Sequence, residues 1–164
     1  MSEFGGVPDR ARRVILKSAV AGGLIGLGFG SFPFPAFANA DAKDWPADAF
    51  KQKSEADTLK TLYGKSAEAS DKVNLDAPEI AENGAVVPIA ITSTLPNVTG
   101  IAILVLENPF TLAAAYKIPE GTQAAAASRL KMAKTTKVVA VVESGGKLYS
   151  ATKEVKVTVG GCGG

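Results

Sequence analysis

The only cysteine of the 164-residue chain, Cys162, lies two residues before the C-terminus between two pairs of glycines. A thiol is a nucleophile that can hold a group covalently, provided that it is accessible. Glycine has no side chain and the widest backbone freedom, so we expect a thin, flexible arm over residues 160–164. The glycines of this arm are Gly160, Gly161, Gly163 and Gly164. At about 3.3 to 3.6 Å for each extended residue, Cys162 would reach roughly 10 Å beyond Val159.

Several kinds of site are excluded by what the sequence lacks, since the chain has one cysteine and no histidine. An internal disulfide needs two cysteines, attachment of c-type haem needs C-x-x-C-H, and a cysteine nucleophile paired with an imidazole needs histidine. Zinc sites need three or four ligands, and the acidic residues are scattered singly with no paired spacing. We therefore expect no catalytic residue, no metal site and no cofactor.

The N-terminal segment has the pattern of an export signal. Arg12 and Arg13 begin a twin-arginine motif, an apolar glycine-rich run follows over residues 19–30, and small residues end at Ala40. The apolar run is shorter than the roughly 20 residues of a membrane-spanning helix, which disfavours a permanent anchor. We predict a Tat signal over residues 1–40, cut after Ala40 or alternatively after Ala38. The mature protein is then expected in the periplasm and free of the membrane.

Removal of this signal changes the charge balance. The whole chain has 18 basic and 16 acidic residues. The predicted signal holds two more basic residues than acidic ones, so the mature protein has equal numbers of the two. The charged residues of the signal are Arg10, Arg12, Arg13 and Lys17 against Glu3 and Asp9. A formally neutral domain lacks the strong basic surface that nucleic-acid binding requires, so we expect no nucleic-acid partner.

The residues after the signal indicate one helix followed by strands. Within residues 41–64, Pro46 suits the first turn of a helix running from Trp45 to Tyr63, and Gly64 would end it. Apolar residues alternate with polar ones in a short first strand at 73–76. Seven more runs have strand character and are separated by turn residues: 85–92, 100–107, 113–118, 129–134, 137–143, 147–152 and 154–159. The spacing predicts an all-β fold, an immunoglobulin-like sandwich over residues 65–159 with one N-terminal helix.

Some segments allow two interpretations. The alanines at 124–127 favour a helical turn or a loop, and Pro88 predicts that its strand lies at a sheet edge or contains a bulge. The strand at 101–106 shows little alternation and must be covered on both faces, either by the sandwich core or by a partner. Trp45 and Phe50 are expected to pack on the domain or on a partner. A basic cluster is expected to be a solvated strand face rather than a guide for anionic molecules; its members are Arg129, Lys131, Lys134 and Lys137.

The C-terminal sequence Val155-Lys156-Val157-Thr158-Val159 followed by GGCGG resembles the SoxY family, the sulfur-carrier subunit of the bacterial sulfur-oxidation (Sox) system. Thr136-Lys137-Val138, Gly146-Lys147-Leu148-Tyr149 and Glu107-Asn108-Pro109 are also similar to that family, as is the twin-arginine signal. The resemblance covers essentially the whole chain. It implies a covalent carrier and not an enzyme, with the sulfur substrate of thiosulfate oxidation held on Cys162.

The same resemblance implies a set of partners. A second sandwich subunit, SoxZ, would form a heterodimer with this chain and be exported with it. A c-type cytochrome complex would couple thiosulfate to the thiol, a hydrolase would release sulfate, and a molybdenum-haem dehydrogenase would oxidise the remaining sulfane sulfur. No residue near Cys162 in the sequence supplies a cation, so we expect the thiol to be a poor nucleophile until a partner enzyme activates it.

Two other functions are compatible with the residues themselves. An exposed cysteine could serve only to link an exported structural or binding domain through intermolecular disulfides. The terminal Gly163-Gly164 is also similar to that of ubiquitin-like sulfur carriers, which use a C-terminal thiocarboxylate. The sequence leaves open the surface that meets the second subunit, the state of assembly beyond a heterodimer, the range of sulfur substrates and the resting state of Cys162.

Overall fold

The computed structural model describes residues 45–158, which begin with two short helical elements. A 3₁₀ turn at Ala49–Lys51 is followed by extended backbone at Gln52 and by helix α1, Glu55–Tyr63. The Ser54 side chain accepts a hydrogen bond from the Asp57 backbone N–H and so caps the first turn of α1. Gly64 ends α1 in the left-handed conformation (φ 71°), as predicted.

The single helix predicted from Trp45 is therefore wrong in its first half. The backbone N–H of Thr111 donates to the Gln52 carbonyl at 2.9 Å, outside any helical pattern. This bond ties the segment to the sheet, and the cap at Ser54 fixes the start of α1 two residues later. The proline of the predicted first turn precedes only the 3₁₀ turn.

Within residues 45–158, nine strands follow α1 and form two sheets. Their order in the six-stranded sheet is β1-β9-β8-β5-β6, with β3 pairing the end of β9, and the three-stranded sheet has the order β2-β4-β7. The strands are β1 Ala67–Ala69, β2 Val73–Asp76, β3 Ile80–Ala81, β4 Val87–Ser93, β5 Val98–Val105, β6 Leu112–Lys117, β7 Ala125–Leu130, β8 Thr136–Ser144 and β9 Lys147–Val157. The two sheets pack on each other as an immunoglobulin-like sandwich, which confirms the predicted fold.

The six-stranded sheet is covered on both faces. Ile101, Ile103 and Val105 of β5 lie in the core between the sheets, while Ala102 and Leu104 lie in a second core. That second core is closed by residues of α1 and the 3₁₀ turn, including Leu59 and Ala49. The strand predicted at 101–106 is thus an ordinary core strand, covered by the chain's own helix and not by a partner.

The predicted strand at 129–134 is correct only for residues 129–130, and the predicted turn or loop at 124–127 is correct only for residue 124. Ala125, Ala126 and Ala127 lie in β7, where they pair with β4, and the strand ends at Leu130. Residues 131–135 leave the sheet because their backbone bonds go elsewhere: Met132 N–H donates to the Gly84 carbonyl at 2.7 Å. Alanine favours helices in isolation, but pairing within the sheet overrides this preference.

The last two predicted strands are one continuous strand, β9. Residue 153 lies inside it, opposite Val138 of β8. Two short strands, β1 and β3, were not predicted. Pro88 is in the middle strand of its sheet and not at an edge, but β2 pairs only with residues 90–93, so no neighbour on that side requires an N–H from Pro88.

The predicted signal over residues 1–40 and the predicted arm over 160–164 lie outside the described residues, as does part of the predicted segment 41–64. These boundaries stay predictions. Within residues 45–158, no helix is long and apolar enough to cross a membrane.

Candidate functional site

The end of β9 carries the chain toward Cys162, so the surrounding residues define the candidate site. We call this end of the sandwich the arm end and the opposite end the far end. Val155 is fully buried and Val157 half-buried, while Glu154, Lys156 and Thr158 are exposed, which confirms the predicted alternation. The chain therefore reaches the arm end as a firmly packed strand.

Hydrogen bonds hold the last described residues on both sides. On one side, the backbone N–H of Lys156 donates to the Glu79 carbonyl at 2.9 Å, and that of Thr158 donates to the Ala81 carbonyl at 3.1 Å. On the other side, the N–H of Val157 donates to Thr135 Oγ1 at 3.0 Å. β8 pairs with β9 only as far as Val155. The backbone N–H groups of the three residues that follow Val155 nevertheless all have hydrogen-bond acceptors.

Three loops surround this point: residues 82–86, 106–111 and 131–135. Asn108 joins the second loop to the third, because its Nδ2 donates to the Lys131 carbonyl at 2.8 Å and its Oδ1 accepts from Ala133 N–H at 3.0 Å. The first and third loops are joined by the bond from Met132 to Gly84. Side chains here replace the backbone partners that irregular segments lack.

Two threonines complete the connections. Thr136 Oγ1 accepts a hydrogen bond from Glu107 N–H at 3.0 Å, and Thr158 Oγ1 donates to the Glu82 carbonyl at 3.1 Å. All three loops are therefore linked to each other, to β8 or to the end of β9. The arm end is a connected surface and not a set of independent loops.

The charges at the arm end are mixed. Lys134 Nζ lies 2.8 Å from Glu107 Oε2, and this hydrogen bond, with the attraction between the charges, lowers the pKa of Glu107. In the sheet register Lys137 lies opposite Glu154. All four residues of the predicted basic cluster are exposed, in agreement with a solvated surface. A depression of about 440 Å³ lies beside them, lined by Leu106, Glu107, Thr135, Thr136, Lys137 and Glu154.

Apolar side chains are also exposed at the arm end. Ile80 of β3 is 58% exposed, Val86 just before β4 is 54% exposed, and Phe110 just before β6 is 51% exposed. The remaining large apolar side chain exposed in the described chain is Trp45, which stacks on Phe50 with ring centroids 4.7 Å apart. Phe50 is itself half-buried against the core beneath α1, so this pair packs on the domain.

The residues predicted to carry chemistry lie outside the described part of the chain. These are Cys162, the four arm glycines, and Arg12 and Arg13 of the signal. Over residues 45–158 there is no group of three or more acidic, histidine or cysteine side chains that could hold a metal. Sequence reasoning did not identify Asn108, Thr135 and Thr136 as the residues that connect the arm end, although the Asn-Pro pair at 108–109 marks a turn.

A model of the family described as "Sulfur oxidation protein SoxY" matches residues 59–162. The chain belongs to the SoxY family. This confirms the resemblance recognised in the sequence, and the match includes α1 from Leu59, both sheets and Cys162. A comparison with curated proteins finds no match.

A solved structure, the sulfur carrier protein SoxY from Chlorobium limicola f thiosulfatophilum, is similar to this chain. The two are 37% identical, with a TM-score of 0.59, and the match covers 63% of this chain and 96% of that one. An engineered protein is 15% identical with a TM-score of 0.39, covering 53% of this chain and 20% of that one. The human F-spondin reeler domain is 12% identical with a TM-score of 0.33, and the match covers 56% of this chain and 95% of that one. Neither of these last two supports an inference.

Proposed function

We propose that this chain is a periplasmic sulfur carrier of thiosulfate oxidation, which holds sulfur intermediates covalently on the thiol of Cys162 and has no catalytic activity of its own. The observation that supports this most directly is the extent of the SoxY family match, which ends at position 162 and so includes the only cysteine. The solved relative is itself named a sulfur carrier.

The position of β9 supports the same function. Thr158 is held by two hydrogen bonds to residues 81 and 82, and Cys162 follows four residues later. The thiol is thus attached near a fixed point, through a segment whose glycines have no side chains to obstruct a narrow channel. This arrangement suits a group that must enter several different active sites.

The proposed loading step joins the Cys162 sulfur to the outer sulfur of thiosulfate. The thiol and thiosulfate together lose one proton and two electrons, leaving Cys–S–S–SO₃⁻, and a c-type cytochrome accepts the electrons. A hydrolase then adds water across the S–SO₃ bond, which releases sulfate and two protons and leaves a cysteine persulfide anion. The persulfide sulfur is the substrate of the molybdenum-haem dehydrogenase. Every one of these steps is catalysed by a partner.

The proposed assembly is a heterodimer with a SoxZ-like sandwich subunit. The twin-arginine pattern at Arg12 and Arg13 supports export by the Tat pathway, which carries folded proteins and would export the second subunit with this chain. Sulfur bound to Cys162 would be the only group carried, with no metal and no other cofactor.

Intact mass analysis of the protein from thiosulfate-exposed cells tests this function. We expect added masses of the sulfane and sulfonate types that are lost on treatment with a reductant. The matched control is Cys162→Ser, which keeps the size of the side chain and should show no added mass. Extra sulfur on the C-terminal carboxyl group would indicate a ubiquitin-like carrier instead. Protein found only as intermolecular disulfides would indicate a linked binding domain.

A further inference from the structure

We propose that Ile80, Val86 and Phe110, which we call the apolar rim, form a docking surface for the enzymes that act on the sulfur held by Cys162. This inference rests on the proposed carrier function. The partner it fits is an enzyme whose active-site entrance is bordered by apolar side chains. The same surface would serve each enzyme that receives the cysteine.

The short connection between Thr158 and Cys162 requires contact at this end. Four residues at about 3.3 to 3.6 Å each span at most roughly 14 Å. A standard protein interface buries about 800 Å² on each partner, which corresponds to a disc of about 16 Å radius. An enzyme that receives Cys162 must therefore bring its surface over the loops around Thr158. The body of the domain cannot remain distant while the thiol reacts.

The chemistry of the arm end suits such contact. Three of the four large apolar side chains that are exposed in the described chain lie here, and the fourth, Trp45, is stacked on Phe50. Glu79, Glu82 and Lys131 are exposed beside the apolar rim. Apolar anchors surrounded by polar groups are the usual composition of a protein interface. Of residues 159–164, which follow Thr158, only Val159 has an apolar side chain larger than cysteine, so this segment offers little apolar surface that could cover the rim.

The hydrogen bonds of the arm end keep the apolar rim in place before a partner arrives. Ile80 belongs to β3, which is paired with Lys156 and Val157 at the end of β9. Phe110 follows the loop that Asn108 joins to residues 131 and 133. Val86 follows Gly84, which accepts from Met132. Because these hydrogen bonds hold the elements without a partner present, docking does not have to form them, which favours binding.

The test compares lysine substitutions at the two ends of the sandwich. Val86→Lys and Phe110→Lys, singly and together, place a charge in the apolar rim, whereas Thr94→Lys adds the same charge at an exposed far-end position. The carrier heterodimer is incubated with thiosulfate and the purified cytochrome complex that loads it, and the loaded fraction is followed by intact mass. We expect kcat/KM to fall tenfold or more in the double rim variant and less than twofold in Thr94→Lys. Equal rates for the rim and far-end variants would overturn the proposal.

Folding is checked in the same samples, because a misfolded carrier would also load slowly. Circular dichroism and the melting temperature of the double rim variant should match those of the wild-type protein, since both side chains are about half exposed. Phe110→Ser supplies a second, uncharged variant. If it loads as fast as the wild-type protein at limiting enzyme, the apolar contact has no role.

A photo-crosslinking residue at position 110 or 94 identifies the occupant in cells. Crosslinks from position 110 to sulfur-oxidising enzymes, absent from position 94, are expected. Crosslinks only to the second carrier subunit, or to another copy of this chain, would overturn the proposal and assign the rim to assembly. Failure of the proposed carrier function would be seen separately from failure of the docking proposal. The wild-type protein itself would then acquire no sulfur at Cys162, whatever the rim variants do.

Discussion

The two ends of the sandwich close the same strands in different ways. At the far end, tight turns depend on backbone conformation: Asn97, Gly121, Gly145 and Gly146 all have positive φ, between 50° and 78°. At the arm end, the loops depend on side chains, with Asn108, Thr135 and Thr136 providing hydrogen bonds. Glycine at the far end is thus required by conformation, whereas for the glycines around Cys162 we propose that access is the reason.

This difference indicates which end can interact with other proteins. Tight turns present little side-chain surface, while the arm-end loops expose Val86 and Phe110 on a connected framework. Binding residues are commonly found on loops that a rigid scaffold positions. The comparison predicts that changes at the arm end affect carrier function, and that changes at the far end affect stability only where they disturb the backbone conformation of a turn, without affecting carrier function.

The largest effect should come from glycine substitutions at the two ends. Gly161→Val together with Gly163→Val adds branched side chains beside Cys162, so we expect thiosulfate-dependent turnover by partner enzymes to fall tenfold or more. The free energy of unfolding should stay within about 0.5 kcal/mol of the wild-type value, because neither position belongs to the described sheets or their cores. Turnover and urea unfolding are measured on the same protein samples.

The matched far-end substitution should have the opposite outcome. Gly145 has φ 56°, and valine in that conformation costs about 1–2 kcal/mol. Gly145→Val should therefore lower the free energy of unfolding, yet load sulfur normally for each folded molecule. Normal turnover in the Gly161/Gly163 variant would refute the explanation that these glycines provide access.

An intermediate effect is expected from two asparagines. Asn108 is half-buried and makes two hydrogen bonds between loops, so Asn108→Ala should lower the free energy of unfolding by about 2 kcal/mol. It should also slow loading, since the loop carrying Phe110 loses its connection. The control is Asn97→Gly at the far end, where φ is 50° and glycine fits at a cost within about 0.5 kcal/mol. Equal effects of the two substitutions would remove the distinction between the ends.

The fold could be predicted from the sequence where strands are long and regularly patterned. Val155 and Val157 alternate with polar neighbours, and the run at 101–106 is apolar throughout. Each of these patterns predicted a strand that the structure contains. The alanines of β7 were misassigned because alanine has no strand pattern, and their partner, β4, is about 35 residues away in the sequence. β3 is only two residues long, too short for any period, but it holds the end of β9.

The candidate site was predictable only in part. Cys162 and its glycines are identifiable from composition alone, and the family match includes the cysteine. The connections made by Asn108 and Thr135 depend on which loops the sheets bring together. The apolar rim was not predicted either, because Ile80, Val86 and Phe110 are distant in sequence and each alone resembles a core residue.

The smallest effect at neutral pH should come from Tyr63, the last residue of α1 at the far end. Burial of the phenol, with a smaller contribution from the nearby charge of Glu143, raises the pKa of Tyr63 to about 12. An unfolded tyrosine titrates near about 10, so the unfolded chain releases this proton first as the pH rises. The resulting stability is fully present below pH ~10 and is lost as the pH rises toward about 12, by roughly 2 kcal/mol.

Tyr63→Phe should lack this part of the alkaline loss, because phenylalanine has no proton to release. The difference between the urea-unfolding free energies of the two proteins is measured at intervals from pH 8 to 12, which cancels the lysine titrations that both share. We expect the difference to be constant below pH ~10 and to change in favour of the variant above it. At neutral pH the variant should load sulfur as the wild-type protein does, since Tyr63 lies at the far end. Slowed loading there would show that the far end also takes part in carrier function.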